Sequence, residues 1–83
     1  MSCLIVFRSM TQVQYAASVL RRKQIRVSIT RPPLAAGKGS CSAALQIAEV
    51  DLVASASLLN KLSFRPLAYY RINSDGSFRE VFP

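Results

Sequence analysis

The sequence predicts an α+β domain of the ferredoxin-like, split βαβ plan. That plan is an antiparallel sheet with two helices on one face, here followed by a short C-terminal strand. Three observations carry the expectation. Five short segments are apolar throughout or alternate apolar with polar residues. Two longer segments repeat their apolar residues at helical spacing. Taken in order they give β-α-β-β-α-β and then one more strand. At 83 residues the chain, 1–83, is a single domain. A chain of this size buries only about 60–65% of its unfolded surface.

The first element is CLIVF, Cys3 to Phe7, a continuous apolar run that suits a central strand. Ser9 and Gln12 then have capping-box spacing, with Ser9 as N-cap. Val13, Ala16, Ala17 and Leu20 define one helix face, and Arg21, Arg22 and Lys23 complement the negative end of its dipole. In IRVSIT, Ile25 to Thr30, the apolar Ile25, Val27 and Ile29 alternate with Arg26, Ser28 and Thr30. That is a half-buried strand with one wet face, and Arg31-Pro32-Pro33 stops it, since proline cannot donate to a ladder. Leu34 to Ser40 reads as a loop with two glycines.

The segment SCSAALQI follows, with Cys41, Ala43, Leu45 and Ile47 on one face and Gln46 on the wet one. Asp51 is the expected N-cap of a second helix from Leu52 to about Leu62. Its inner stripe reads as Leu52, Ala56, Leu59 and Leu62 or Ser63. Pro66 leads into a strand, Leu67 to Ile72. Asn73-Ser74-Asp75-Gly76 is a turn signal, and Phe78 to Phe82 is the return strand.

Composition narrows the chemistry. With no histidine, a Ser-His-Asp triad and histidine general-base catalysis are excluded. Two cysteines and four acidic residues all but exclude a Cys/His zinc site within one chain, so neither metal nor cofactor is expected. No apolar run approaches the roughly 20 residues that cross a bilayer. The start MSCLIVFRSM lacks the basic region and cleavage site of a signal peptide. The expected location is therefore cytoplasmic, where a disulfide between Cys3 and Cys41 is disfavoured. A net charge of +7 asks for an anionic partner, either nucleic acid or the acidic face of a protein; the plain alternative is charge that keeps a basic protein in solution.

In the expected topology the end of strand one, the start of helix one and the loop between strands two and three share one end of the sheet. Arg8, the Ser9–Thr11 amides, Arg31, Lys38 and Cys41 then gather there, with Arg65 arriving at the head of strand four. Cations and a helix N-terminus favour a thiolate, the form that attacks sulfane sulfur. Glycines and the small Ser40 and Ser42 leave room for a partner to approach Cys41. The other reading is structural: Cys41 falls on the inward face of its strand, and free cysteine is often a small core residue. Cys3 belongs to the core at the opposite end, and Tyr15, Tyr69 and Tyr70 read as packing or rim groups.

Several short motifs resemble the selenium/sulfur carrier-like family of small bacterial domains. They are Phe7-Arg8-Ser9 after strand one, Thr30-Arg31-Pro32 after strand two, Ser40-Cys41-Ser42 at the head of strand three, Tyr70-Arg71-Ile72, and the tail Glu80-Val81-Phe82. The chain departs from the family pattern in having Ser42 where the family has glycine, an inverted Thr-Arg-Pro order and a longer Leu34–Ser40 loop. The resemblance implies that Cys41 carries a persulfide or a selenium species, with Arg31 nearby. The first functional expectation is thus a small, non-enzymatic carrier, a monomer or weak dimer, that takes sulfur or selenium from a donor protein and hands it to an acceptor. The second is a basic nucleic-acid-binding module. The third is a protein-interaction domain pairing through open sheet edges; in both of these Cys41 is structural.

Overall fold

The most apolar stretch of the chain becomes the centre of its sheet. The computed structural model describes residues 2–31 and 43–83. Strand β1, Ser2–Phe7, leads to helix α1, Met10–Arg22. Strands β2, Ser28–Thr30, and β3, Ala43–Ala48, come next. A 3-10 turn, Glu49–Asp51, opens helix α2, Leu52–Lys61, and strands β4, Ala68–Ile72, and β5, Phe78–Val81, complete the chain. The sheet order is β2-β3-β1-β4-β5, and every neighbouring pair is antiparallel. The first four strands have the ferredoxin-like order, and β5 adds a strand beyond β4.

Every residue from Cys3 to Phe7 is buried, because β1 is covered on both faces. Its odd positions, Cys3, Ile5 and Phe7, pack with Val13, Ala16, Ala17 and Leu20 of α1 and with Leu59 of α2. Ala43, Leu45 and Ile47 of β3 join the same cluster, so both helices lie on one face. The even positions form a second cluster: Leu4 and Val6 with Ala44, Ala68 and Tyr70, flanked by Leu67, Ile72 and Phe78. The helix-free face is therefore wet only in part. Ser28 and Gln46 are exposed as expected, but the middle of that face is apolar and buried.

Helix α1 follows its sequence signals. Ser9 caps it, its Oγ accepting from the Gln12 N–H at 3.3 Å. Its buried residues are the four on the expected stripe, Val13, Ala16, Ala17 and Leu20. The strand expected from Ile25 is shorter at its start, because Ile25 is taken by the helix end. Gln24 has φ 62, and the Ile25 N–H reaches back to the Leu20 carbonyl at 3.0 Å while Gln24 donates to Arg21 at 2.9 Å. This is a Schellman cap, whose apolar seal is Ile25 beside Leu20.

Helix α2 departs more from its sequence signals. Asp51 has helical backbone angles and its side chain makes no capping bond, because the 3-10 turn already supplies the start. The inner stripe is rotated: Ser55 and Leu59 are buried, Leu52 is half-buried against the core, and Leu62 is 49% exposed. A second Schellman cap closes this helix. Ser63 has φ 64 and donates to Asn60 at 3.1 Å, and the Phe64 N–H bonds the Leu59 carbonyl at 2.9 Å. Phe82, expected to end the last strand, lies beyond β5 and is exposed.

Two stability outcomes follow. A left-handed residue with a Cβ costs about 1–2 kcal/mol, and the added freedom of unfolded glycine offsets about 0.4–1 kcal/mol of the relief. Gln24→Gly and Ser63→Gly should therefore each stabilise by roughly 0.5 kcal/mol, read as a higher midpoint in urea. The Ser55 hydroxyl is fully buried without a hydrogen-bond partner among the described residues. Ser55→Ala should stabilise by about 1 kcal/mol, since it removes a desolvated polar group and improves helix propensity. A destabilised variant would mean that this hydroxyl is paired.

Candidate functional site

Chain segments from three parts of the sequence meet at one end of the sheet. Phe7 pairs with Ala43, so Arg8 stands beside the start of β3. Thr30 pairs with Ala44, so Arg31 reaches the same place from the other side. The Leu67 N–H donates to the Val6 carbonyl at 2.7 Å, which brings Arg65, two residues earlier, to this end as well. Arg8, Arg31 and Arg65 are all exposed. Ser9 is half-buried between Arg8 and the first turn of α1, and its carbonyl accepts from the Val13 N–H at 3.2 Å. The N-terminus of α1 and the exposed Arg8, Arg31 and Arg65 thus share the end of the sheet at which β3 begins, with Arg65 leading into β4, two strands away from β3. Three of the chain's four acidic residues lie at the opposite end. Glu49 and Asp51 follow Ala48, which pairs with Ser2, and Asp75 follows Ile72, which also pairs with Ser2.

Of the residues singled out from the sequence, Arg8, Ser9 and Arg31 are brought together here. Lys38, Ser40, Cys41 and Ser42 lie outside the described residues. Cys41 precedes Ala43 by two positions in the chain.

Cys3 is a core cysteine. It is a free thiol, fully buried, at the end of the sheet that carries Glu49, Asp51 and Asp75 together with Arg71 and Arg79, and it pairs with Ile47 and Arg71. Burial pushes its pKa up; the nearby Glu49 carboxylate adds to this, and Arg71 and the chain's amino group oppose it. Glu49 and Arg71 are themselves joined at 3.1 Å. From Cys3 to Phe7 is four residues of strand, about 13 Å at roughly 3.3 Å per residue. A disulfide needs Cα atoms within about 7 Å. Cys3 is therefore far from the cationic end.

Tyr15, expected to be a packing or rim ring, is both: it is 65% exposed, and its ring stands edge-on to Phe64 at 5.4 Å. Phe64 in turn stands edge-on to the buried Phe7 at 6.3 Å. Nothing in the sequence around Phe64 announces this link, which depends on how the second Schellman cap turns the chain. Among the described residues there is no group of three or more His, Cys, Asp or Glu side chains placed to hold a metal ion. No helix there is long and apolar enough to cross a membrane.

A small α+β domain with a ferredoxin-like sheet and a cation-rich strand end is the class that fold and geometry define. The family follows from comparison: the model described as "Putative Se/S carrier protein-like" matches residues 2–71. The chain belongs to that family. No curated protein and no solved structure matches it significantly.

The burial of Cys3 has a measurable consequence. Its raised folded pKa means stability that is fully present below the unfolded thiol value, near 8.5, and lost as pH rises toward the folded value. In a Cys41→Ser background, iodoacetamide should label Cys3 only as fast as the protein opens. The further variant Cys3→Ala should show a flatter decline in stability above about pH 8.5. Rapid labelling of Cys3 in the native protein would contradict its placement in the core.

Proposed function

We propose that this protein is a cysteine-based carrier of sulfur or selenium and that Cys41 holds the cargo. Family membership supplies the class of function. One structural observation supports the residue: Arg8, Arg31, Arg65 and the N-terminus of α1 lie at the same sheet end as Ala43, two residues after Cys41. Cations and a helix N-terminus lower a thiol's pKa and raise its thiolate fraction at neutral pH. Arg8 and Arg31, with Lys38, act as thiolate-stabilising or partner-binding groups, and the chain neighbours of Cys41, Ser40 and Ser42, are small.

The transfer is an exchange at sulfur. The Cys41 thiolate attacks the outer sulfur of a persulfide on a donor cysteine. A new S–S bond forms at Cys41 as the donor's S–S bond breaks, and the donor cysteine leaves as a thiolate with the bonding electron pair. No external oxidant or reductant is needed. The outer sulfur keeps its proton or loses it to solvent, and the same step in reverse roles loads the acceptor. The protein turns over no substrate alone. Its partners are the donor and acceptor proteins, and the compartment proposed is the reducing cytoplasm, where a free thiol persists.

Nucleic-acid binding through the sheet is the weaker reading. RNA-recognition domains of this plan stack bases on exposed rings of the central strands. Here Tyr70 is 7% exposed and packed with Leu4 and Val6, and Phe78 is half-buried at the margin of the same cluster.

The test is intact-mass spectrometry after incubation with a cysteine desulfurase and cysteine, or with a selenium donor. The expected result is a gain of one sulfur or one selenium atom on the wild type and on Cys3→Ala, reversed by dithiothreitol and absent from Cys41→Ser. Neutralising Arg8 and Arg31 together should slow loading and move its pH profile to higher pH. An equal adduct on Cys41→Ser, or none on the wild type, would remove the proposal.

A further inference from the structure

An open groove of about 1170 Å³ runs along the outer flank of α1 and is walled on its far side by the end of α2 and the residues after it. Its apolar part is built from Tyr15, Val19, Leu58, Leu62 and Phe64. Tyr15 and Leu62 are 65% and 49% exposed, which leaves two large side chains in water side by side along one channel. The wall is anchored: Tyr15 rests on Phe64, Phe64 on Phe7 of the central strand, and the Phe64 backbone is tied to Leu59. Such a surface is preformed and loses little entropy when something binds it.

The charges are one-sided. Arg22 and Lys23 line the groove at the end of α1, and Arg65 lines it directly after Phe64. Among the described residues no Asp or Glu lines it. A channel with an apolar floor and cations at both ends complements an amphipathic segment that puts apolar side chains inward and carboxylates outward. Helix-in-groove recognition has this form, read as apolar anchors at i, i+3, i+4 and i+7. Phosphate recognition would use the cations but would leave the Leu62 side chain without a role.

We propose that the groove between α1 and α2 is a docking surface for an acidic, amphipathic helix of a partner protein. Arg65 lines the groove and also precedes β4 at the sheet end where β3 begins, so a docked partner lies at the same end as the proposed transfer site; that last link alone rests on the carrier reading. The docking itself uses neither cysteine.

The probe is a fluorescein-labelled peptide of about 16 residues, roughly four helical turns, with leucine at the anchor positions and glutamate elsewhere. The controls are the same composition with the leucine spacing scrambled, and a labelled single-stranded oligouridine. Anisotropy should show binding of the patterned peptide that weakens with added salt, with the scrambled peptide about tenfold weaker or worse. Amide shifts in ¹⁵N-labelled wild type should cluster on the outer flank of α1 and at residues 62–65, a readout that needs no variant. Tyr15→Ala, and Arg22→Gln with Lys23→Gln and Arg65→Gln, should each cost about tenfold in affinity with the far-UV spectrum unchanged. Cys41→Ser should bind like the wild type, so loss of carrier activity and loss of docking are separable. Failure of the patterned peptide to bind, equal binding of the scrambled one, or shifts elsewhere would overturn the proposal. Tighter binding of oligouridine with the same amides shifted would reassign the groove to nucleic acid.

Discussion

The structure depends on β1 being covered on both faces. Ile5 and Phe7 point to the helices, and Leu4 and Val6 point to the second cluster on the other side. A strand has a side-chain period of two, so a slip of one residue would exchange these sets across the sheet. Leu4 and Val6 would then stand on the helix face, and they lack the shape and volume of Ile5 and the Phe7 ring that pack there against α1 and α2. This register also fixes the functional end. With Phe7 opposite Ala43 and Val6 bonded to Leu67, Arg8, Arg31 and Arg65 are all placed at one end of the sheet.

The two helices are finished in the same way, and each cap does more than end a helix. The first pulls Ile25 under Leu20, which shortens β2 and leaves it an edge strand of three residues. The second turns Phe64 back onto Leu59 and against Phe7 and Tyr15. Both use a left-handed residue that is not glycine, Gln24 and Ser63. The apolar seal across each cap is the compensation: it recovers in buried side chains what the backbone gives up in strain. A continuous aromatic line from the core to the surface groove is the result.

Charge is distributed as unevenly as it is plentiful. Three of the four acidic residues sit at the end where Cys3 is buried, and the opposite end carries arginines and a helix N-terminus. At physiological ionic strength such fields reach about 8 Å, so each end of the sheet acts on its own chemistry. The end that holds Glu49 and its partner Arg71 buries a thiol whose pKa burial pushes up. The other end gathers exposed arginines beside the N-terminus of α1.

Much of this was legible in the sequence, and the reason is local. Continuous burial of CLIVF, the Ser9 cap, the four-residue stripe of α1 and the turn at Asn73 are each written in a few neighbouring residues, and their order alone gives the ferredoxin-like plan. The family is legible in the same way, from short motifs in a fixed order. The convergence of Arg8, Arg31 and Arg65 could also be drawn from topology, since strand direction decides which ends meet. What stayed hidden is what depends on contacts between distant segments. The α2 stripe turned on Ser55 rather than Ala56, because packing on β1 and not propensity sets a helix's rotation. The buried centre of the second face was invisible because alternation marks a polar side, not what lies across it. The groove needed Tyr15 and Phe64 to meet, residues far apart in the chain and joined only when the second cap folds back. The sequence by itself determined the elements, their order and the charge; tertiary structure decided the rotations and the surface contacts, because those are fixed by packing between segments that the linear pattern does not relate.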